Sequence, residues 1–265
     1  MKKTTTYSIF LALIVAVSLL FSIDSYANRR HFSFVYETPV LSSGNREVEI
    51  WNTIRTDKGV FYRGMDHRVE YEWGLGSGFQ SSLYLNLNSE STLDATGGIT
   101  NENQFGFSNE WKWSLSNPVA DAIGSALYGE WTVDHDATEL EGKLILDKQI
   151  GNILLAGNAV FEREFAAHGD GSYNNIEATF GAAYIANDHF SFGLEARHQT
   201  VALKDNSFPA FYAGPSISYS ADKWWTVVSV LPQIGIGSNK NNTNNNLELE
   251  QHEKLQIRVL LSFEL

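Results

Sequence analysis

Residues 79–88 read Phe-Gln-Ser-Ser-Leu-Tyr-Leu-Asn-Leu-Asn, and this stretch decides the fold. Strand side chains alternate between faces, so Phe79, Ser81, Leu83, Leu85 and Leu87 lie on one side and Gln80, Ser82, Tyr84, Asn86 and Asn88 on the other. The pattern predicts a strand with one apolar and one polar face. Phe105, Phe107, Trp111, Trp113 and Leu115 likewise oppose Gly106, Ser108, Glu110, Lys112 and Ser114, with Asn109 the polar exception on the apolar side. The runs at 123–133, 176–184 and 190–197 repeat the pattern, and the last sets Leu255, Ile257, Val259, Leu261, Phe263 and Leu265 against Gln256, Arg258, Ser262 and Glu264. Less regular runs at 46–55, 68–75, 140–150, 153–165, 211–220 and 224–234 bring the total to about twelve, an even number of the kind bacterial barrels use.

The connections alternate in length. Tight turns are expected at 74–78, 116–121, 151–152, 187–188 and 221–223, where Gly, Asn, Asp and Pro gather. Longer loops are expected at 57–64, 89–103, 134–139, 166–174, 200–209 and 237–251. This predicts an all-β fold, a transmembrane antiparallel up-and-down β-barrel with turns in the periplasm and loops outside. Trp73, Phe79, Trp113, Phe190, Tyr219, Trp224 and Phe263 fall at turn-side ends of the apolar faces, and Phe105, Phe107, Trp131, Phe165 and Phe211 near loop-side ends, as two interfacial girdles require. A secreted β-sandwich shares the period of two but has no reason to alternate its connections in this way.

Composition agrees with a barrel. Beyond residue 27 no stretch approaches the roughly eighteen apolar residues of a helical span, and a mean hydropathy of −0.21 suits strands in which only alternate residues are apolar. The net charge of −12 argues against nucleic acid as a partner, and the absence of cysteine excludes disulfides. Lys2 and Lys3 precede an apolar stretch, residues 9–21, and Ser25-Tyr26-Ala27 fits a small-x-small cleavage site, so residues 1–27 are expected to be a signal peptide for export to the outer membrane of a Gram-negative cell. Residues 28–45 are expected to form a periplasmic lead-in or a segment tucked into the barrel mouth, and residues 46–265 the barrel itself. Phe32, Phe34 and Tyr36 alternate, but a strand there makes the count odd.

With apolar faces on lipid, the polar faces line a lumen. The expected lining residues are Glu70, Glu72, Glu110, Lys112, Glu130, Lys143, Glu162, Glu164, Glu177, Glu195, Arg197 and Arg258, with Glu49, Arg55 and Arg68 beside them. Buried charges have to be paired or hydrated. Two readings follow: ion pairs brace a narrow barrel, or an acidic excess lines a narrow pore for small polar or cationic solutes. A competing reading is a lipid hydrolase of the phospholipase or lipid A deacylase type. It draws on Asp134-His135-Asp136 with Glu139, on His168 and Asp170, and on His198, although no serine sits at a glycine elbow. A purely structural or adhesive barrel is third. No cofactor, metal or catalytic residue is expected. The expected partners are outer-membrane lipid, lipopolysaccharide, the barrel-assembly machinery and small solutes. The Asn-rich stretch 238–246, with its Asn241-Asn242-Thr243 acceptor pattern, reads as an outer loop.

The closing segment through Phe263 and Leu265 resembles the assembly signal of outer-membrane barrels, with Leu265 where an aromatic is usual. The opening segment, Tyr36-Glu37-Thr38-Pro39 followed by Leu41, Gly44, Glu47 and Glu49, resembles the start of outer-membrane barrels that include transporters linked to phenol-degradation operons. The resemblance implies a porin-like membrane protein and no particular substrate.

Overall fold

A computed structural model describes residues 29–167, 171–235 and 246–265. The expected signal peptide at 1–27, His168, Asp170 and the Asn241-Asn242-Thr243 motif lie outside the described residues. Twelve antiparallel strands among the described residues close on themselves: β1 (Arg46–Thr56), β2 (Tyr62–Gly76), β3 (Phe79–Leu93), β4 (Ile99–Ser116), β5 (Gly124–Asp134), β6 (Ala137–Ile150), β7 (Ile153–Ala166), β8 (Asn174–Ile185), β9 (Phe190–Ala202), β10 (Ser207–Ser220), β11 (Trp224–Pro232) and β12 (Leu255–Glu264). Each strand pairs with its sequence neighbours, and β1 meets β12 in a register running from Glu47 opposite Glu264 to Thr56 opposite Leu255. Closure leaves no open sheet edge, which lets backbone polar groups pair within a bilayer.

The alternation places the faces as the sequence predicts, inside out relative to a soluble protein. Phe105 is 72% exposed and Leu85 67%, whereas Tyr84, the neighbour of Leu85, is fully buried. Asn109, the polar exception, bonds along the outer surface: its amide donates to Ser82 O at 2.9 Å and accepts from Trp111 Nε1 at 2.8 Å. Aromatic rings meet at the turn-side rim, where Phe79 stacks on Trp113 at 5.0 Å and Tyr219 lies between Phe190 and Trp224 at 4.9 and 5.2 Å.

The loops differ from expectation. Strands run on into the stretches at 89–103 and 200–209, so β3 and β4 are joined at 94–98 and β9 and β10 at 203–206. Asp134 and Ala137 are separated by two residues only, and the turn-side connection 117–123 is not tight. The contrast between the two ends therefore comes from strand overhang and from the long connection 233–254, rather than from regular alternation of loop length.

Residues 29–45 form no strand and enter the barrel from the turn-side end, with residues 31–38 buried. The three rings that alternate along this segment part company. Phe32 packs with Leu154, Ala156 and Ala183 on β7 and β8; Phe34 packs with Ala210, Tyr212 and Leu231 on β10 and β11; Tyr36 packs with Trp51, Tyr128, Ile145 and Trp225. Wall and segment share three separate buried clusters.

A plugged lumen as the candidate functional site

Seventeen residues with almost no backbone partners of their own have to satisfy their polar groups from the wall. Glu195 on β9 accepts from the amides of Ser33 (3.0 Å), Phe34 (2.7 Å) and Val35 (3.1 Å), and Asn158 on β7 both accepts from Tyr36 N (2.7 Å) and donates to Tyr36 O (2.9 Å). Asp147 on β6 accepts from Thr38 N at 2.8 Å and Thr38 Oγ1 at 2.7 Å, Gln80 on β3 accepts from Leu41 N at 2.8 Å, and Lys112 on β4 donates to Pro39 O at 2.7 Å. Within the segment, Glu37 accepts from His31 N at 2.7 Å and lies 2.9 Å from His31 Nδ1. Burial pushes the Glu37 carboxyl up, but the charge and hydrogen bonds of His31 outweigh it and hold it below the ordinary carboxyl range. Glycine makes room for the plug on the wall: a Cβ on Gly74 of β2 would collide with Ser42 O, and one on Gly181 of β8 would stand 2.8 Å from the Phe32 ring.

Above the plug, on the loop side, lies a cavity of about 350 Å³. Phe34, Tyr36 and Trp51 border it. Its charged lining comprises seven carboxylates, from Asp66, Glu130, Asp134, Glu139, Glu141, Glu162 and Glu177, against five cations, from Arg55, Arg68, Lys143, Arg197 and Arg258. Pairing is extensive. Arg197 meets Glu177 at 2.5 Å, Lys143 meets Glu141 at 2.7 Å, Arg55 meets Asp66 at 2.8 Å and Glu90 at 3.1 Å, and Arg68 meets Glu130 at 3.5 Å. Arg258 instead donates to Thr53 Oγ1 at 2.9 Å and Ser33 O at 3.3 Å, with its guanidinium 4.0 Å from the Phe34 ring centre.

A second inward fold narrows the loop-side mouth. Gln233 Oε1 accepts from Glu248 N at 2.6 Å, Tyr212 OH donates to Glu253 O at 2.9 Å, and His252 Nε2 lies 2.8 Å from Phe208 O. Gln251, His252 and Glu253 thereby join Arg55, Arg197 and Arg258 around a further cavity of about 330 Å³.

The expected lining residues thus fall into three groups. Glu130, Lys143, Glu162, Glu177, Arg197 and Arg258 border the main cavity. Glu72, Glu110 and Lys112 border a cavity of about 30 Å³ beside the plug, and Glu70, 1% exposed, is packed next to them. Glu195 is spent on plug amides, and Glu164 sits near the loop-side end of β7, where its amide donates to Tyr173 O at 3.0 Å. Asp147, Asn158 and Gln80 were not singled out from sequence, since a polar residue on an inward face carries no mark of the backbone it will bind. The loop His135 is exposed, and its flanking aspartates are otherwise engaged: Asp134 accepts from the amides of Asp136 and Ala137, both at 2.7 Å, and Asp136 accepts from Gln104 at 2.8 Å.

A closed antiparallel barrel with an apolar outer surface, aromatic rims and a charged interior has the fold of outer-membrane porins. The Pseudomonas putida F1 COG4313 outer membrane channel superposes with a TM-score of 0.62 at 9% identity, covering 86% of this chain and 98% of that one. The NanC porin gives 0.55 at 11% identity, covering 82% and 100%, and the translocator domain of the autotransporter NalP from Neisseria meningitidis gives 0.51 at 9% identity, covering 85% and 90%. Such low identities speak for fold alone, and the fold serves both channels and a translocator. The chain belongs to DUF6662, a family of unknown function, which it matches over residues 24–265. No curated protein matches it in sequence.

Proposed function

We propose that the protein is a narrow outer-membrane channel for small polar solutes, with a preference for cations, and that residues 29–45 hold its turn-side end shut. The observation that carries this reading is the main cavity, which is charged, closed below by the plug and lined by more carboxylates than cations. A water-filled constriction with an acidic excess favours cations at its mouth. The turn side faces the periplasm in this reading, residues 1–27 direct export, outer-membrane lipid and lipopolysaccharide surround the apolar face, and the assembly machinery reads the closing strand. No cofactor enters.

Reversal potentials across a planar bilayer under a salt gradient test the selectivity. Cation-selective currents are expected, weakened by Glu139→Gln with Glu162→Gln, whose carboxylates form no salt bridge within the described residues. Anion-selective currents, or selectivity indifferent to both substitutions, would overturn the proposal.

A further inference from the structure

Five glutamates crowd the inner wall near the turn-side end: Glu47 and Glu49 on β1, Glu70 and Glu72 on β2, and Glu110 on β4. The register sets like charges directly opposite one another, Glu47 facing Glu72 and Glu49 facing Glu70, an arrangement that destabilises a strand pair. None of the five is more than 7% exposed. Carboxylate oxygens of Glu70, Glu72 and Glu110 lie within 4.8 Å of one another, and so do those of Glu47, Glu49 and Glu72.

For Glu49, Glu70, Glu72 and Glu110 the hydrogen bonds present do not offset the charge. Glu49 accepts from Trp51 Nε1 at 2.8 Å, Glu47 from Ser262 at 3.0 Å, Glu110 from Tyr84 OH, and Glu72 only distantly from Ser82 at 3.5 Å. Both oxygens of Glu70 are buried with no N–H or hydroxyl donor, and the side chain that meets them is another carboxyl, that of Glu72. A buried carboxylate without donors is costly and calls for a counter-charge. Lys112 is committed to Pro39 O, Arg68 to Glu130, and Arg30 stacks on Tyr36 and Trp51 at 4.4 and 4.8 Å. Counting Arg30 and Lys112 against Glu49, Glu70, Glu72 and Glu110 leaves an excess of two negative charges. The cavity of about 30 Å³ opens onto Glu49, Glu72 and Glu110 on one side and Arg29, Arg30 and Lys112 on the other, room for an ion or a water.

We propose that Glu70, Glu72 and Glu110 hold a divalent cation, calcium by preference, which ties β2 and β4 together beside the plug. The donor set is oxygen only, as hard cations require, and oxygens no more than 4.8 Å apart can share one ion at a Ca–O distance of about 2.4 Å. Magnesium, with bonds of about 2.1 Å and a firmly held water shell, fits a dry, carboxylate-crowded wall less well.

The test is calorimetric titration of CaCl2 into the full mature chain, stripped with chelator and held in zwitterionic detergent, with MgCl2 as comparison. One saturable calcium site per chain is expected, bound at least about tenfold more weakly after Glu70→Gln or Glu72→Gln and unchanged after Glu102→Gln on the exposed part of β4. Because either inner-wall variant could fail to close, unboiled-gel migration accompanies each. A further readout on the unaltered chain is its thermal unfolding, which calcium should raise by several degrees and chelator should reverse. Absence of saturable binding and of that thermal shift would overturn the proposal and leave protons, water and Arg30 to offset the carboxylates. Calcium binding equally strong in folded Glu70→Gln and Glu72→Gln would overturn it as well. Neither result touches the conductance on which the channel reading depends.

Discussion

Glu195 Oε2 accepts a hydrogen bond from the backbone amide of Phe34 at 2.7 Å, binding the middle of the barrel wall to the middle of the plug. The same carboxylate takes the amides of Ser33 and Val35 and the hydroxyl of Ser229. One side chain thus satisfies three consecutive donors that have no strand to pair with. Glu195→Ala leaves those amides buried and orphaned, at about 1–3 kcal/mol each. The plug should loosen while the barrel stays closed: limited proteolysis should cut within residues 29–45 in the variant and spare them in the parent chain. Glu195→Gln, which keeps an acceptor oxygen, should fall between the two.

The contact between Phe32 and Gly181 predicts a double-mutant coupling. A methyl group at residue 181 meets the ring at 2.8 Å, too close for any real side chain, so Gly181→Ala should destabilise plug docking by about 1–3 kcal/mol. Phe32→Leu in the same chain should restore much of the loss, because the ring is what the methyl displaces. Equal losses with and without Phe32→Leu would mean that strain in β8 itself is the cause.

Acid should release the plug through Glu37. Its carboxyl is held below the ordinary value of 4.5, so it stabilises the docked segment above that pH, and the contribution disappears as pH falls below it through the lower folded-state value. Protease sensitivity of residues 29–45 should therefore rise on acidification in that window. Glu37→Gln should show raised sensitivity at neutral pH and a flattened acid response.

The outer face makes its own prediction. Leu85 is 67% exposed near the middle of β3, where the bilayer core should lie. Leu85→Arg should cost about 2–4 kcal/mol in denaturant unfolding from lipid vesicles. Ser89→Arg, toward the loop-side end of the same strand, should cost far less. Equal costs at both positions would argue against a lipid-facing ribbon.

Strand number, face assignment and rims were legible because the outward positions share one apolar chemistry, and a period of two makes it visible within ten residues. Strand ends were not. Ser89 with Asn103, Ser91 with Asn101 and Thr92 with Thr100 read as loop by composition, yet their side chains bond across the β3–β4 hairpin at 2.7, 2.7 and 3.2 Å. The plug was legible in part. Phe32, Phe34 and Tyr36 have the spacing of a strand, and only their distant partners separate plug from strand. The opening residues that carried the family resemblance are largely those that dock the segment: Tyr36, Thr38, Pro39 and Leu41 all contact the wall. For the interior glutamates, sequence gave the face; which ones meet an arginine, an amide or one another depends on register between strands far apart in the chain.

Single-channel recording of residues 28–265 beside a variant lacking residues 29–45 tests the central claim most directly. A barrel closed by its own N-terminal segment predicts small or rare openings in the full chain and frequent, larger, discrete conductance steps once the segment is gone, with both proteins migrating as folded barrels on unboiled gels. Identical traces from the two folded proteins would contradict it.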